Sequence, residues 1–519
     1  MEIRLQKDGP VVAAPTQVVD SFSAELHARQ AEWQQKLAQD PDSLRKIQRE
    51  VREQFRHAQD LLTASLLASV SQQPEMAEHV QRLREQSVVP LRPPEKRPLK
   101  LRIGTLVLFA CVLYCSPQRR KKGAPREQLA GLYPELAAMG IRHGDCPAIQ
   151  DLVARTVALS PSIEAARKEL RRQGYKLNKK TIRRIAETVG KEFLARRRRE
   201  LLAWRAEPGT AGDELAGCRV AVQIDGGRLR TRKNKPGRRK KGQRQKFKTP
   251  WREPKVLVIY AFDKQGRRDV RRLPLIDGTL LGPDHLMELT AFHLHRLGAA
   301  KADVVVFVSD GATWIWDRLD WIIARAGLPP EKTMRVLDWY HAVQHVSRAL
   351  TLLKLKARDR TKHFVEMRTL LKQSRWAEVV KTLRELAKGR PEKHKVWTEI
   401  QYLEKHGTAG HLQYLTCKRR GLPIGSGAVE STIRRVINLR LKSNAMYWLE
   451  ENAEAIFALR ASLLSDRWET QLDAVQESLS HDARLTWEWD APTPTDATCP
   501  TPSPTPELPA PSALEEIAA

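Results

Sequence analysis

The sequence predicts a multidomain α/β protein, its α/β core interrupted by an all-helical insertion and preceded by a helical region. Three observations carry that expectation. Short runs of β-branched and aromatic residues begin abruptly at Cys218. They follow the order three strands, helix, strand, helix, strand. Residues 342–420 then carry only helical patterning before one more amphipathic helix. The 519 residues are enough for about two to four domains.

Residues 21–90 are polar and poor in glycine, and read as two or three helices broken near Asp40-Pro41 and Gln73-Pro74. Pro90–Pro98 holds four prolines in nine residues and reads as a linker, giving a helical region and linker over 1–98. Arg102–Tyr114 is apolar enough for a strand or two, with the basic run Arg119–Lys122 behind it. Cys111 and Cys115 form one loose pair, with Cys146 and His143 far off, whereas a zinc site usually takes two close pairs. Zinc is therefore not expected. Helical spacing of Ile149, Leu152, Val153 and Val157 follows, and Ser160-Pro161 breaks it and supplies an N-cap. Ile163, Ala166 and Leu170 mark a second helix, Gly174 a turn, and Ile182, Ile185, Ala186 and Val189 a third. That is the layout of a helix-turn-helix, which makes 99–200 a strand segment followed by a DNA-binding domain. Lys179, Lys180, Arg183 and Arg184 are its exposed cations; the plain alternative is a helical bundle with a solvated basic face.

In the core, Val220–Ile224 ends on Asp225, Val256–Tyr260 forms a second run, and Asp269–Ile276 suggests a third strand. A helix over 284–297, the strand Val304–Val308 ending near Asp310, a helix over 313–326 and the strand Met334–Leu337 complete the order. It is the order of a ribonuclease-H-like core, with a first part at 215–341, the insertion at 342–420 and a final helix within 421–465. From Ala491 the chain is rich in Pro, Thr, Ser and Ala, so 486–519 reads as a disordered tail.

Lys and Arg number 90 against 61 Asp and Glu, a net charge of +29 that favours a polyanionic partner such as nucleic acid. The first ten residues carry no apolar signal region. The longest apolar run, Thr105–Cys115, falls short of the roughly 20 residues a bilayer needs. We therefore expect no membrane association, a cytoplasmic, nucleoid-associated protein, and six reduced cysteines. No P-loop is present, so no nucleotide cofactor is expected.

Asp225 and Asp310 each follow an apolar strand and precede glycine, in Gln223-Ile-Asp-Gly226 and Val308-Ser-Asp-Gly311. Alone, either is equally a turn former. In this strand order the first and fourth strands are neighbours, so the two carboxylates can converge on one cation. Glu430, in Gly425-Ser-Gly-Ala-Val-Glu430, is placed to add a third; alone, it could equally be an acid in a helix first turn. Oxygen ligands suit Mg²⁺, and two ions about 3.5–4 Å apart serve phosphoryl transfer.

Gln223-Ile-Asp225, Ser309-Asp-Gly-Ala-Thr-Trp314, Leu337-Asp-Trp-Tyr-His341 and Pro423-Ile-Gly-Ser-Gly-Ala-Val-Glu430 resemble bacterial insertion-sequence transposases. The resemblance is to the ISKra-type group, allied to the Mutator-like superfamily, and covers roughly residues 150–465. Arg440-Leu-Lys442 with Met446-Tyr-Trp448 is similar to that group's C-terminal signature. The resemblance implies Mg²⁺- or Mn²⁺-dependent DNA strand cleavage and transfer by two ions on Asp225, Asp310 and Glu430. It also implies transposon-end and target DNA as partners, and a homo-oligomer in a synaptic complex. Asp338 and His341 match its Asp-x-x-His element, where the histidine would position the scissile phosphate or nucleophile and Asp338 would orient the ring; a helix cap is the alternative. Arg434, Arg435 and Lys442 join the DNA-binding set, with Trp448 the candidate for stacking on a base. Two departures stand out: the cysteine-rich segment of relatives is reduced to Cys111 and Cys115, and a basic segment lengthens the interval after Asp225. In that segment, residues 228–248, twelve of twenty-one residues are Lys or Arg, among them Arg238, Arg239, Lys240 and Lys241, and none is acidic. We expect a loop, mobile without DNA, that clamps phosphates. Rival readings are a structure-selective nuclease on the same fold and a transposase-derived DNA-binding protein without catalysis.

Overall fold

The chain opens on a short strand, β1 (Glu2–Arg4), and three helices, α1 (Pro15–Gln39), α2 (Leu44–Val70) and α3 (Pro74–Glu85). The structure, a computed structural model, describes residues 1–85, 91–116, 131–237, 245–444 and 446–481. Arg119–Lys122, the candidates Arg238, Arg239, Lys240 and Lys241, and the 486–519 tail lie outside the described residues. The helix breaks fall at the expected prolines, Pro41 and Pro74, with the Asp40 carboxylate accepting from the Asp42 N–H at 3.1 Å.

The linker expected to run to Pro98 gives way to a strand. β2 (Glu95–Ile103) pairs antiparallel with β3 (Leu106–Tyr114), and Pro98 stands opposite Cys111 inside that ladder. The sheet order is β1-β3-β2, so β2 is an edge, where proline's missing N–H costs no second ladder. The turn joining them uses Gly104 at φ +56°. Asp60 fills the place a Cβ would take and accepts from the Thr105 N–H at 2.7 Å and hydroxyl at 2.8 Å. Four helices follow: α4 (Pro134–Ala138), α5 (Pro147–Leu159), α6 (Ile163–Arg172) and α7 (Lys179–Ala206). The expected cap Ser160 is not the cap. Pro161 keeps Ser160 extended, and the Ser162 hydroxyl accepts from the Ala165 N–H at 3.1 Å instead. Asn178 caps α7 through the Thr181 N–H at 2.9 Å, and that helix continues far beyond Val189. Up to Arg199 of α7 these elements belong to one compact unit (described residues 1–199, 458–463 and 467–481), and the other described residues belong to a second (200–457 and 464–466).

The second unit is built on β4 (Arg219–Gly226). Four two-residue strands follow, β5 (Leu229–Arg230), β6 (Lys233–Asn234), β7 (Phe247–Lys248) and β8 (Trp251–Arg252). β5 pairs with β8 and β6 with β7, so the described ends of the basic segment form a ribbon rather than the expected loop. Then come β9 (Lys255–Phe262), β10 (Leu275–Thr279), α8 (Pro283–Arg296), β11 (Val304–Ser309), α9 (Thr313–Trp316), α10 (Leu319–Arg325) and β12 (Thr333–Leu337). They form a mixed five-stranded sheet in the order β10-β9-β4-β11-β12. β4, β9 and β10 are antiparallel neighbours, while β11 runs parallel to β4 and to β12. Val220–Val222, Val256–Ile259 and Val304–Val308 are buried along their whole length, as strands covered on both faces require. Two expectations shift here. The third strand starts at Leu275, because Asp269 turns its carboxylate to the Arg271 N–H at 3.0 Å and Pro274 lacks an N–H. The helix expected over 313–326 is broken between Trp316 and Leu319, where the Arg318 guanidinium reaches back to Asp284 at 2.6 Å.

The insertion comprises α11 (Trp339–Leu352), α12 (Ala357–Lys372), α13 (Trp376–Leu386), α14 (Val396–Thr408) and α15 (Tyr414–Arg419). The last helix of the sequence pattern is α16 (Gly427–Ile433), continued by a π-helical turn over Arg434–Asn438. α17 (Glu450–Leu464) and α18 (Trp468–His481) end the described chain. Among the described residues, no helix is long and apolar enough to cross a membrane.

Phe307, 1% exposed in the central strand β11, has no room to be replaced by solvent. Phe307→Ala is expected to cost about 3–5 kcal/mol. A denaturant midpoint within error of wild type would contradict this placement.

Candidate functional site

Strand register builds the site. β4 and β11 pair from Val304 opposite Arg219 to Ser309 opposite Ile224, so the next residues, Asp310 and Asp225, face each other at the strand ends. β11 and β12 pair from Val305 opposite Thr333 to Ser309 opposite Leu337, so Asp338 follows in the same row. The Asp338 N–H donates to the Ser309 carbonyl at 2.9 Å. Neighbouring strands lie about 4.8 Å apart, and residues in one register share a face. Three aspartates therefore line one edge of the sheet.

Their surroundings differ. Burial pushes the Asp225 carboxyl up to about 6; the Gly226 N–H, donating at 2.6 Å, opposes this, and the charges of Asp310 and Glu430 add to it. Asp310 is also held above its ordinary value by burial, with the Ala312 N–H at 3.2 Å and His341 opposing, and Asp338 and Glu253 reinforcing. Burial would raise Asp338 too. Hydrogen bonds from His341 and Ser426 outweigh it and hold that carboxyl low. Asp338 Oδ1 accepts from the His341 N–H at 2.8 Å and lies 2.9 Å from His341 Nδ1, and Oδ2 accepts from the Ser426 N–H at 2.6 Å. It both caps α11 and orients the ring. His341 is raised by its bond to Asp338, then by the charges of Asp338, Asp310 and Glu430, against the effect of burial.

Glu430 arrives on α16, whose first turn is moored to the sheet by buried polar groups. Gln223 stands two residues before Asp225 on the same face of β4. Its Nε2 donates to the Tyr260 hydroxyl at 3.0 Å and the Gly425 carbonyl at 2.9 Å, and its Oε1 accepts from the Val429 N–H at 3.0 Å. The Trp339 N–H donates to the Ile424 carbonyl at 2.9 Å. Glu430 Oε1 accepts from the Ser426 hydroxyl at 3.3 Å, and the side chain stays exposed.

Asp225, Asp310, Glu430, Asp338 and His341 thus meet in one electrostatic neighbourhood. Their oxygens are hard donors of the sort a small divalent cation takes, and a cation would relieve the raised carboxyls. Among the described residues, no three His, Cys, Asp or Glu side chains are already gathered as a metal cage.

Sequence reasoning missed three contributors. Gln223 could have been noticed as the one amide in an otherwise apolar strand. Tyr402, from α14, has its hydroxyl where a Cβ on Gly311 would lie, next to Asp310. Glu253 adds an exposed carboxylate whose charge Asp310 feels. His345, at helical spacing from His341, turns instead to Glu399 Oε2 at 2.5 Å and stacks on Tyr402 with ring centres 3.5 Å apart.

The DNA-binding candidates separate. Lys179 pairs with Glu164 at 2.8 Å and Arg184 with the buried Asp145 at 2.5 Å, which also takes Arg102 at 2.6 Å. Lys180 and Arg183 are exposed. All these belong to the first unit. Arg434 and Lys442 are exposed and Arg435 is half-buried, all beyond Glu430. Trp448 is engaged within the fold: its indole N–H donates to the Leu441 carbonyl at 2.9 Å, and the Arg440 guanidinium lies 5.2 Å from its ring centre. The five described cysteines, Cys111, Cys115, Cys146, Cys218 and Cys417, are free thiols. No family model, curated protein or solved structure matches this chain.

The raised Asp225 carboxyl has a consequence for stability. The folded chain holds a proton there more tightly than the unfolded chain does. Stability from this group is full below its ordinary value of 3.8 and is lost as pH rises through about 6. Asp225→Asn is therefore expected to raise the unfolding midpoint above wild type at about pH 8 in chelator, with the gap closing towards about pH 4. An asparagine variant less stable than wild type at the higher pH would remove the desolvation argument.

Proposed function

We propose that the chain is a DNA transposase that cleaves strands at transposon ends and transfers them to target DNA. In this reading the five-stranded sheet is a ribonuclease-H-like core, and α5 to α7 are a helix-turn-helix. The observation that carries it is the row of Asp225 and Asp310 on adjoining parallel strands with Glu430 brought alongside on α16. The sheet order, the helical insertion before the last helix and the net charge of +29 support it. So do the motifs shared with ISKra-type transposases.

Asp225, Asp310 and Glu430 would hold Mg²⁺ or Mn²⁺. Such ions, when bound, activate the attacking oxygen and stabilise the leaving one. The residues of the chain do the rest. Asp338 fixes the His341 ring with Nδ1 turned inward, leaving Nε2 to bond a phosphate oxygen or the nucleophile. Gln223 keeps the first turn of α16, and so Glu430, at the sheet edge. Transposon-end and target DNA are the partners, a homo-oligomer is the working form, and the cytoplasmic nucleoid is the setting.

Asp225→Asn, Asp310→Asn and Glu430→Gln are each expected to abolish Mg²⁺-dependent cleavage of the element's own ends while DNA affinity stays within about twofold, because each removes a ligand charge and little shape. Near-normal cleavage by any one of them excludes that residue. Cleavage by wild type without strand joining would reassign the chain to a nuclease.

In the first unit, Lys180→Ala with Arg183→Ala is expected to lower the preference for element ends without changing the unfolding midpoint. Arg184→Ala leaves the buried Asp145 one partner short and is expected to lower that midpoint. Equal midpoints for the two variants would contradict the division.

A further inference from the structure

We propose that the ribbon rooted beside Asp225 binds single-stranded nucleic acid, stacking unpaired bases on Trp251 and Phe247 and seating phosphates on the arginines over those rings. The inference rests on the reading above only for the class of polymer.

Side chains along β5 alternate as a strand demands. Leu229 and Thr231 are buried, while Arg228 and Arg230 point outward. Arg230 stands opposite Trp251 in the ladder. The guanidinium carbons of Arg228 and Arg230 lie 5.4 Å and 4.8 Å from the Trp251 ring centre, and that of Arg232 lies 5.4 Å from Phe247. Phe247 in turn meets Tyr447 at 5.8 Å. Trp251 is 47% exposed and Phe247 38% exposed, so neither ring is a core residue that happens to lie near a cation. Over 228–237 and 245–252 there are eight Lys or Arg and no acid.

The platform is braced. The Arg232 N–H donates to the Trp448 carbonyl at 2.6 Å and the Trp448 N–H to the Arg230 carbonyl at 3.3 Å. Arg252 Nε donates to Glu450 at 2.6 Å. Trp448, the stacking candidate of the sequence, is thereby the strut, and Trp251 is the ring left open. Bases in a duplex are stacked on one another and offer mainly their edges, whereas an exposed ring between cations suits the π-face of an unpaired base. Arg228 is three residues from Asp225, within about 10 Å along a strand. A strand opened at the carboxylates would therefore meet this ribbon first.

The test measures affinity of the full chain for an oligothymidylate of about 20 nucleotides and for a duplex of equal length. Trp251→Leu is expected to weaken single-strand binding about tenfold and duplex binding less than about twofold, with Trp251→Phe close to wild type. The salt slope should survive Trp251→Leu and flatten by about one to two in Arg228→Gln with Arg230→Gln. No loss in Trp251→Leu, or equal loss on both ligands, would overturn the proposal; equal loss would mark the ring as structural or the ribbon as a plain polycation. Wild-type cleavage is assayed in parallel. Cleavage with no effect of Trp251→Leu sinks the ribbon and spares the transposase; stacking without cleavage does the reverse.

Discussion

A single buried amide fixes the geometry on which the acidic site depends. Gln223 presents one carboxamide to three partners, and two of them, the Gly425 carbonyl and the Val429 N–H, belong to the turn that delivers Glu430. Each such bond contributes only about 1 kcal/mol net, but an unmet buried group costs about 1–3 kcal/mol. The amide therefore works less by strength than by exclusion: any other seating of α16 leaves several buried polar groups without partners. Asp338 repeats the device one strand over, taking the Ser426 N–H. Two buried side chains from β4 and the end of β12 hold α16 at both sides of its first turn.

The helical insertion is tied to the same edge by rings rather than amides. His345 stacks on Tyr402, Tyr402 meets His406 at 4.7 Å, and Trp316 stacks on His411 at 4.1 Å. The Trp316 indole N–H donates to the Asp310 carbonyl at 2.5 Å. Burial pushes His406 down to about 3 and His411 down to about 4, so both stay neutral in ordinary buffers. Protonating either would place a charge in a packed aromatic stack. The insertion is thus part of what holds Asp310, although it is separated from Asp310 in the chain by β12.

Much of this was legible because apolar runs of β-branched residues announce strands, and β4, β9, β11 and β12 fall where those runs do. Less visible were features decided by a distant partner. The strand at Glu95 hides behind prolines that an edge position tolerates. The start of β10 depends on a local turn at Asp269. Arg184 looks like any exposed helical cation until Asp145, far back in sequence, is found against it. Of the site, Asp225, Asp310 and Glu430 could be named from motif and element order, and His341 with Asp338 from their spacing. Tyr402 could not, because nothing local to α14 marks a tyrosine that will reach the turn after β11.

The register that lines up three aspartates also separates their roles. A carboxylate has about four lone-pair sites to fill. Asp338 receives two backbone N–H donors and the His341 ring, is fully buried, and sits below its ordinary value, so its acceptor capacity is largely spent inside the protein. Asp225 and Asp310 receive one backbone N–H each on Oδ1 and are held up by burial and by neighbouring carboxylates. Folding leaves these two carboxylates electrostatically unsatisfied at a cost to stability, while an adjacent aspartate at the same height is fully satisfied. Burial alone does not produce that contrast, since Asp338 is the most buried of the three and yet the one held low. It comes from the bond count, which leaves oxygens of Asp225 and Asp310 open to a positively charged or hydrogen-donating group, while those of Asp338 are taken up by His341 and Ser426.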